Sequence, residues 1–187
     1  MNRGNLFILS GPAGTGKGTL RKRLSEDIPD MAYSVSCTTR AIRPGEKDGR
    51  DYRFISKSDF EARITRDEFL EWAEVHGNYY GTRRSDVERV MNEGRDILLE
   101  IDVQGCRQIK SRLPEAVSIF ITAPSLDDLE ARLEERATET QDQLDTRLRN
   151  AAMEMRHASE YDHVIINDDL QKAENELVEL VKKFRDK

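Results

Sequence analysis

The stretch Leu6-Phe7-Ile8-Leu9, running into Ser10-Gly11-Pro12-Ala13-Gly14-Thr15-Gly16-Lys17-Gly18-Thr19, constrains this chain more than any other. Four consecutive apolar residues leave no polar face, which predicts a strand buried on both sides inside a parallel sheet. The glycines that follow let several main-chain N–H groups turn toward one centre without interference from a Cβ. A helix opening directly after them adds its own N-terminal amides, and the result is an anion cradle. Lys17 adds a mobile positive charge. Gly11, Pro12, Ala13, Gly14, Thr15, Gly16, Lys17, Gly18 and Thr19 are therefore expected to hold the phosphates of a nucleoside triphosphate, with Lys17 on the β- and γ-phosphates.

The rest of the chain repeats the same rhythm. Thr19 to Asp27 reads as a helix closed by Pro29, and Ile97 to Ile101, Val117 to Ile121 and Val164 to Ile166 read as further buried strands. Helical patterns cover Ser85 to Asn92, Gln104 to Arg112, Leu126 to Glu135, Asp142 to Ser159 and Leu170 to Phe184. Strands alternating with helices predict a doubly wound α/β core of the P-loop NTPase type. Residues 33–82 break the rhythm, with short alternating stretches at Tyr33 to Ser36 and Tyr52 to Ile55, many arginines and the turn Arg43-Pro44-Gly45. They read as an inserted substrate-binding subdomain of about 33–82, set into a core of 1–32 and 83–187. A Thr-, Glu- and Gln-rich zone at about 134–144 reads as a mobile loop within a lid of about 126–150.

Composition narrows the classes. A chain of 187 residues fits one domain with a substantial core. The net charge of −6 argues against a nucleic-acid-binding surface. Cys37 and Cys106 stand far apart without Cys-x-x-Cys spacing, so neither a zinc site nor a disulfide framework is expected. The N-terminal apolar run is too short for a signal-peptide core or a membrane span, so a cytoplasmic protein is expected.

Two features bear on a metal. Loops of this type carry Ser or Thr after the lysine as a Mg²⁺ ligand, whereas here that position is Gly18 and the hydroxyl follows at Thr19. This predicts a Mg²⁺ held largely by phosphates and waters, with Thr19 a candidate ligand. Glu100 and Asp102 end an otherwise apolar strand and are read as acids on one side of it, near the ion and its waters. In the middle region Ser36, Thr38, Thr39, Arg40, Arg43, Tyr52, Tyr79 and Tyr80 form a dense set of groups able to bind phosphate.

Several motifs match one family in series. Ser34-Val35-Ser36-Cys37-Thr38-Thr39-Arg40, Arg43-Pro44-Gly45-Glu46, Gly49-Arg50-Asp51-Tyr52, Phe69-Leu70-Glu71-Trp72-Ala73, Gly77-Asn78-Tyr79-Tyr80-Gly81-Thr82 and Ile101-Asp102-Val103-Gln104-Gly105 all resemble guanylate kinases. The likeness extends to Val164 through Asp169 and so covers essentially the whole chain. It implies that Arg40, Arg43, Tyr52 and Tyr80 hold the phosphate of GMP, and that Ser36, Glu71, Thr82 and Asp102 read guanine. Base chemistry agrees. Guanine offers N1–H and N2–H side by side to one carboxylate, while its O6 needs a donor such as the hydroxyl of Ser36 or Thr82. Adenine would leave that carboxylate unpaired, a mismatch that discriminates by roughly 10⁴–10⁵.

By the same resemblance Arg132, Arg136 and Arg147 reach from the lid over the transferring phosphoryl group. The family's Gly-Arg-Gly at the lid turn is here Glu135-Arg136-Ala137. Asn167 lies near the expected adenine site, with a helix cap as its alternative role. The Gly-Lys-Gly-Thr ending is similar to that of adenylate kinases. The expected activity is in-line transfer of the ATP γ-phosphoryl group to GMP, and to dGMP, giving the diphosphate and ADP. Lys17, Arg40, Arg132, Arg136 and Arg147 are the expected charge-stabilising set. No general base is needed, because a phosphate monoester with a second pKa of ~6 is already largely dianionic. The alternatives are a non-catalytic guanylate-kinase-like module that binds proteins, and a P-loop kinase with another acceptor. The expected partners are ATP and GMP, with no nucleic acid and no membrane, in a monomer or homodimer.

Overall fold

The structure is a computed structural model that describes residues 3–75, 77–134 and 141–185, those at 141–143 by backbone alone. Nine strands and seven α-helices lie within these residues. Five strands form one sheet in the order β2-β7-β1-β8-β9: β1 (Leu6–Ser10), β2 (Ala32–Tyr33), β7 (Ile97–Glu100), β8 (Val117–Thr122) and β9 (His163–Ile166). The pairs β2/β7 and β8/β9 are parallel. Every residue of β1 and β8 is buried, Ser10, Ser118 and Thr122 included, as expected of strands covered on both faces. In β9 only Ile165 is buried. Val164 and Ile166 are exposed, because the strand lies at the sheet edge and one of its faces is uncovered. The expectation of a fully buried fourth strand fails on this point.

The chain divides into two compact units, Met1–Ile8 with Met31–Ala116, and Leu9–Asp30 with Val117–Lys187, and the division falls inside β1.

The first unit carries a second, four-stranded sheet in the order β4-β3-β6-β5, from β3 (Cys37–Thr38), β4 (Arg53–Phe54), β5 (Phe69–Val75) and β6 (Asn78–Arg83). Helix α2 (Lys57–Thr65) opens at Ser56, whose hydroxyl accepts from Asp59 N at 3.0 Å. It presses Phe60 flat onto Phe69, ring centroids 4.3 Å apart, and onto Tyr79 at 5.2 Å. These rings and Cys37 form the local core. Helix α3 (Arg84–Asn92) follows β6 directly, and α4 (Val103–Arg112) packs along β5. Neither α2 nor the β5–β6 hairpin was individually evident from sequence, because turn residues and arginines obscure the apolar period there.

In the second unit the phosphate loop leads into α1 (Lys17–Asp27), and α5 (Leu126–Glu134) and α6 (Gln141–Met155) pack through Leu129, Leu133, Leu144 and Ala151. Helix α6 starts at 141, so the last residues of the predicted 134–144 loop are helical. Helix α7 (Leu170–Arg185) buries Ala173, Leu177, Val178 and Val181 and packs on α1. Both cysteines are buried and neither is in a disulfide; Cys37 lies in the β-strand core and Cys106 on α4.

Candidate functional site

The phosphate loop folds around its own carbonyls. Gly11, Gly14 and Gly16 have φ of 138°, 87° and 87°. The Lys17 ammonium donates to Gly11 O at 2.5 Å and Pro12 O at 2.7 Å, and Thr15 Oγ1 donates to Pro12 O at 2.9 Å. A lysine resting on loop carbonyls is a cation held at the mouth of the cradle.

Asn167 ties this loop to the end of β9. Its main-chain N–H donates to Thr122 O at 2.8 Å, and its side-chain amide donates to Thr15 O, also at 2.8 Å. Gly16 is glycine for a second reason besides its positive φ: a Cβ there would stand 2.5 Å from Asn167 Nδ2. The cap of α7 is Asp169, whose Oδ1 accepts from Lys172 N at 2.8 Å. Asn167 therefore serves the phosphate loop rather than the helix end. Arg132 on α5 donates to Asn167 O at 2.9 Å. Gly14, Gly16, Thr19, Arg132, Asn167, Asp168 and Leu170 line a cavity of about 490 Å³. Thr19 is exposed on it, two residues after the lysine. Arg147 is exposed on α6. Arg136 lies outside the described residues.

The first unit holds a second polar site built from two clusters. In one, Arg40 faces Glu46 in a two-pronged ion pair, Nη2 to Oε1 at 2.7 Å and Nη1 to Oε2 at 2.9 Å. Glu46 Oε2 also accepts from Arg43 N at 2.8 Å, so one carboxylate links both predicted phosphate arginines. The guanidinium holds the Glu46 carboxyl down to about 2. Glu46, and beyond it the Tyr80 hydroxyl, keep Arg40 charged at all working pH. The guanidinium lies over the Tyr52 ring at 5.2 Å, and Tyr52 meets Tyr80 edge-on at 5.9 Å. Burial, with the negative potential of Tyr80 and Glu100, pushes the Tyr52 phenol up, so it stays a neutral donor. The Arg43 side chain is exposed. Glu46 is the residue that sequence reasoning missed, although a carboxylate six residues after Arg40 in an arginine-rich turn was a usable signal.

The other cluster centres on Glu71. A register shift between Phe69 and Glu71 sets Glu71 directly opposite Thr82 on β6. Both are buried, and Thr82 Oγ1 donates to Glu71 Oε1 at 2.6 Å. Burial raises the Glu71 carboxyl to about 7, the Thr82 hydrogen bond opposing this and the nearby Asp102 charge adding to it. Asp102 does not extend the strand as expected. β7 ends at Glu100, and Asp102 is the N-cap of α4, its Oδ1 accepting from Gly105 N at 2.8 Å. Strand alternation therefore does not set its direction; helix capping does. Ser36 is half-buried and pairs through its main-chain carbonyl with Arg53 N at 2.9 Å.

Among the described residues no three His, Cys, Asp or Glu side chains come together as a metal-binding group. No helix among them is long and apolar enough to cross a membrane. The arrangement offers a glycine-rich loop with a lysine, a guanidinium–tyrosine cluster of a kind that can bind phosphate, and a buried carboxyl group of a kind that can accept paired N–H donors.

Comparison with known proteins agrees with this chemistry. The guanylate kinase family model matches residues 3–184. The chain is 47% identical over 176 residues to the guanylate kinase of Desulfitobacterium hafniense (strain Y51), covering 94% of this chain and 88% of that protein. It is 50% identical over 182 residues to that of Aromatoleum aromaticum (strain DSM 19018 / LMG 30748 / EbN1), covering 97% and 89%. The crystal structure of guanylate kinase from Anaplasma phagocytophilum shares the fold at a TM-score of 0.81 and 33% identity, covering 100% of this chain and 88% of that one. Motifs in series, fold and family match coincide over the whole described chain, which belongs to the guanylate kinase family.

Proposed function

We propose that the chain transfers the γ-phosphoryl group of ATP to GMP, giving ADP and GDP. The observation that carries the choice of acceptor is the buried Glu71–Thr82 pair, with its 2.6 Å hydrogen bond. A carboxylate held on one oxygen by a hydroxyl keeps its remaining lone pairs for two parallel donors, which the N1–H and N2–H edge of guanine supplies. Adenine supplies no such edge and would leave the carboxylate buried and unpaired. Thr82 donates its proton to Glu71, which makes Ser36 the better donor for O6. dGMP differs only at the ribose and fits the same reading.

Arg40, with Tyr52 and Tyr80 beside it and Arg43 on the same turn, would bind the acceptor phosphate. Lys17 and the loop amides would bind the triphosphate, and Asn167 fixes the loop. Arg132, Arg136 and Arg147 would offset charge on the transferring group. Thr19, which lines the cavity, suits a Mg²⁺ that arrives with the triphosphate and keeps its waters. Glu100 and Asp102 are further candidates for contact through water. When bound, Mg²⁺ supplies charge neutralisation at the phosphates. Transfer is in-line and needs no protein base, because the acceptor phosphate is already largely dianionic.

The test is coupled ADP release from ATP with a panel of GMP, dGMP, AMP, CMP and UMP. Turnover confined to the guanine nucleotides is expected. Absence of turnover with GMP, or equal turnover with AMP, would exclude the assignment.

A further inference from the structure

Resting on the reading of Glu71 as the guanine-binding carboxylate, we propose that Gly105 is a specificity-determining position: its missing side chain fixes where that carboxylate sits. Gly105 occupies the third position of α4, where its backbone is helical and no positive φ calls for glycine. Alanine would be the better helix former at such a place. The reason for glycine is a close approach. A Cβ at 105 would stand 2.6 Å from Glu71 Oε2 and 3.1 Å from Glu71 Cδ.

Relief by sliding the helix is blocked. Positions 105, 108 and 112 lie on one face of α4, and that face is hydrogen-bonded to β5. The Gln108 side-chain amide accepts from Trp72 N at 3.2 Å and donates to Trp72 O at 2.7 Å. Arg112 Nη1 donates to Phe69 O at 3.1 Å. These contacts register the helix on both sides of Glu71. Asp102, the N-cap of the helix, accepts from the Gly105 N–H at 2.8 Å and so holds the first turn of α4 in shape.

The carboxylate must therefore move instead of the backbone. Reaching ordinary contact beyond 3.4 Å needs a shift of about 0.8 Å away from α4. Such a shift takes Oε1 off the Thr82 hydroxyl and turns the carboxylate plane away from a bound base. The fold tolerates this, because a side-chain end moves more easily than a strand. Recognition does not, because errors near 1 Å in a positioned group cost about 10²-fold.

The experiment compares the parent, Gly105→Ala, Glu71→Ala and the double variant, with KM for GMP, KM for ATP and the GMP-over-AMP preference measured for each. In Gly105→Ala, KM for GMP is expected to rise by about tenfold or more, and the GMP preference to fall by a similar factor. KM for ATP should stay within about twofold, a split that general loss of structure would not produce. In the Glu71→Ala background the added methyl has no carboxylate to displace, so it should change KM for GMP by less than about twofold. A parental KM for GMP in Gly105→Ala, with Glu71→Ala impaired, overturns the role of Gly105 and leaves the guanine reading standing. The same factor in both backgrounds overturns it too. A parental KM for GMP in Glu71→Ala removes the guanine reading and this inference together. If Gly105→Ala fails to fold, the double variant must fold; should it not, the methyl acts elsewhere and the proposal falls.

Discussion

The side-chain amide of Asn167 donates to the main-chain carbonyl of Thr15 at 2.8 Å, across 152 residues of sequence. This bond fastens the inner turn of the phosphate loop to the end of β9. Asn167→Asp would set a carboxylate oxygen against that carbonyl and should lower stability by about 1–3 kcal/mol. A drop of roughly 2–10 °C in Tm is expected for a chain of this size. KM for ATP should rise by about tenfold while KM for GMP stays near parental, because only the loop is displaced. Thermal melts and two-substrate kinetics check both; parental values would show that the loop holds itself.

Lys17 rests on Gly11 O and Pro12 O at 2.5 and 2.7 Å, contacts a bound triphosphate would compete for. Lys17→Ala should reduce kcat by about 10²–10³-fold or more, the loss seen when one preorganised donor to developing charge is removed. The loop glycines keep their conformation, so Tm should move by only a few degrees. Steady-state turnover near the parental rate would refute the role of this lysine.

Glu46→Gln keeps the shape of the side chain that grips Arg40 but removes its charge. The Arg40 fork would loosen and the Arg43 turn with it, so KM for GMP should rise by roughly tenfold with little change in kcat. Because the Glu46 carboxyl is depressed to about 2, the pair contributes above the ordinary carboxylate pKa and is lost only as pH falls toward 2. No pH dependence between 5 and 9 should come from it. A fall in KM for GMP in this variant would instead mean that Glu46 competes with the substrate phosphate.

Glu71 works the other way. Its carboxyl is raised from 4.5 to about 7, so between those values the folded protein keeps a proton that the unfolded chain has lost. Stability from this group therefore falls as pH rises through that window, by up to about 3 kcal/mol in total. Glu71→Gln removes the penalty and should raise Tm at pH 8, with a smaller effect at pH 5. Binding two N–H donors requires the ionised form, so KM for GMP should fall as pH rises from 6 to 8 and then level off. The acceptor phosphate titrates near ~6 as well, and only the component that Glu71→Gln abolishes belongs to Glu71. The same substitution should raise KM for GMP and weaken rejection of AMP. A pH profile unchanged by Glu71→Gln would mean the carboxylate is already ionised.

Local chemistry was legible wherever a few contiguous residues determine it. The buried strand Leu6–Leu9, the glycine loop and Lys17 could be read directly, and helix α1 begins at Lys17, two residues before the predicted Thr19. The capping alternative for Asn167 looked equally good in sequence, and only the folded chain gives the cap to Asp169. Asp102 shows the same limit. Counted along a strand it shares a side with Glu100, but the strand stops at Glu100 and Asp102 turns to cap α4. Capping and strand ends are decided by where the backbone leaves the sheet, and Gly, Asp and Ser near such an exit permit several choices.

The sequence by itself determined the glycine-rich turn with Lys17 between strand and helix, the parallel sheet and the kind of groups available to bind a second phosphate. These follow from main-chain geometry and residue chemistry within short windows. The tertiary structure alone decided that Glu46 grips Arg40, that Thr82 and α4 at Gly105 close on Glu71, and that burial lifts the Glu71 carboxyl to about 7. The physical reason is desolvation and register: a carboxylate's pKa and aim depend on which elements close over it, and β5, β6 and α4 meet there only once the chain has folded.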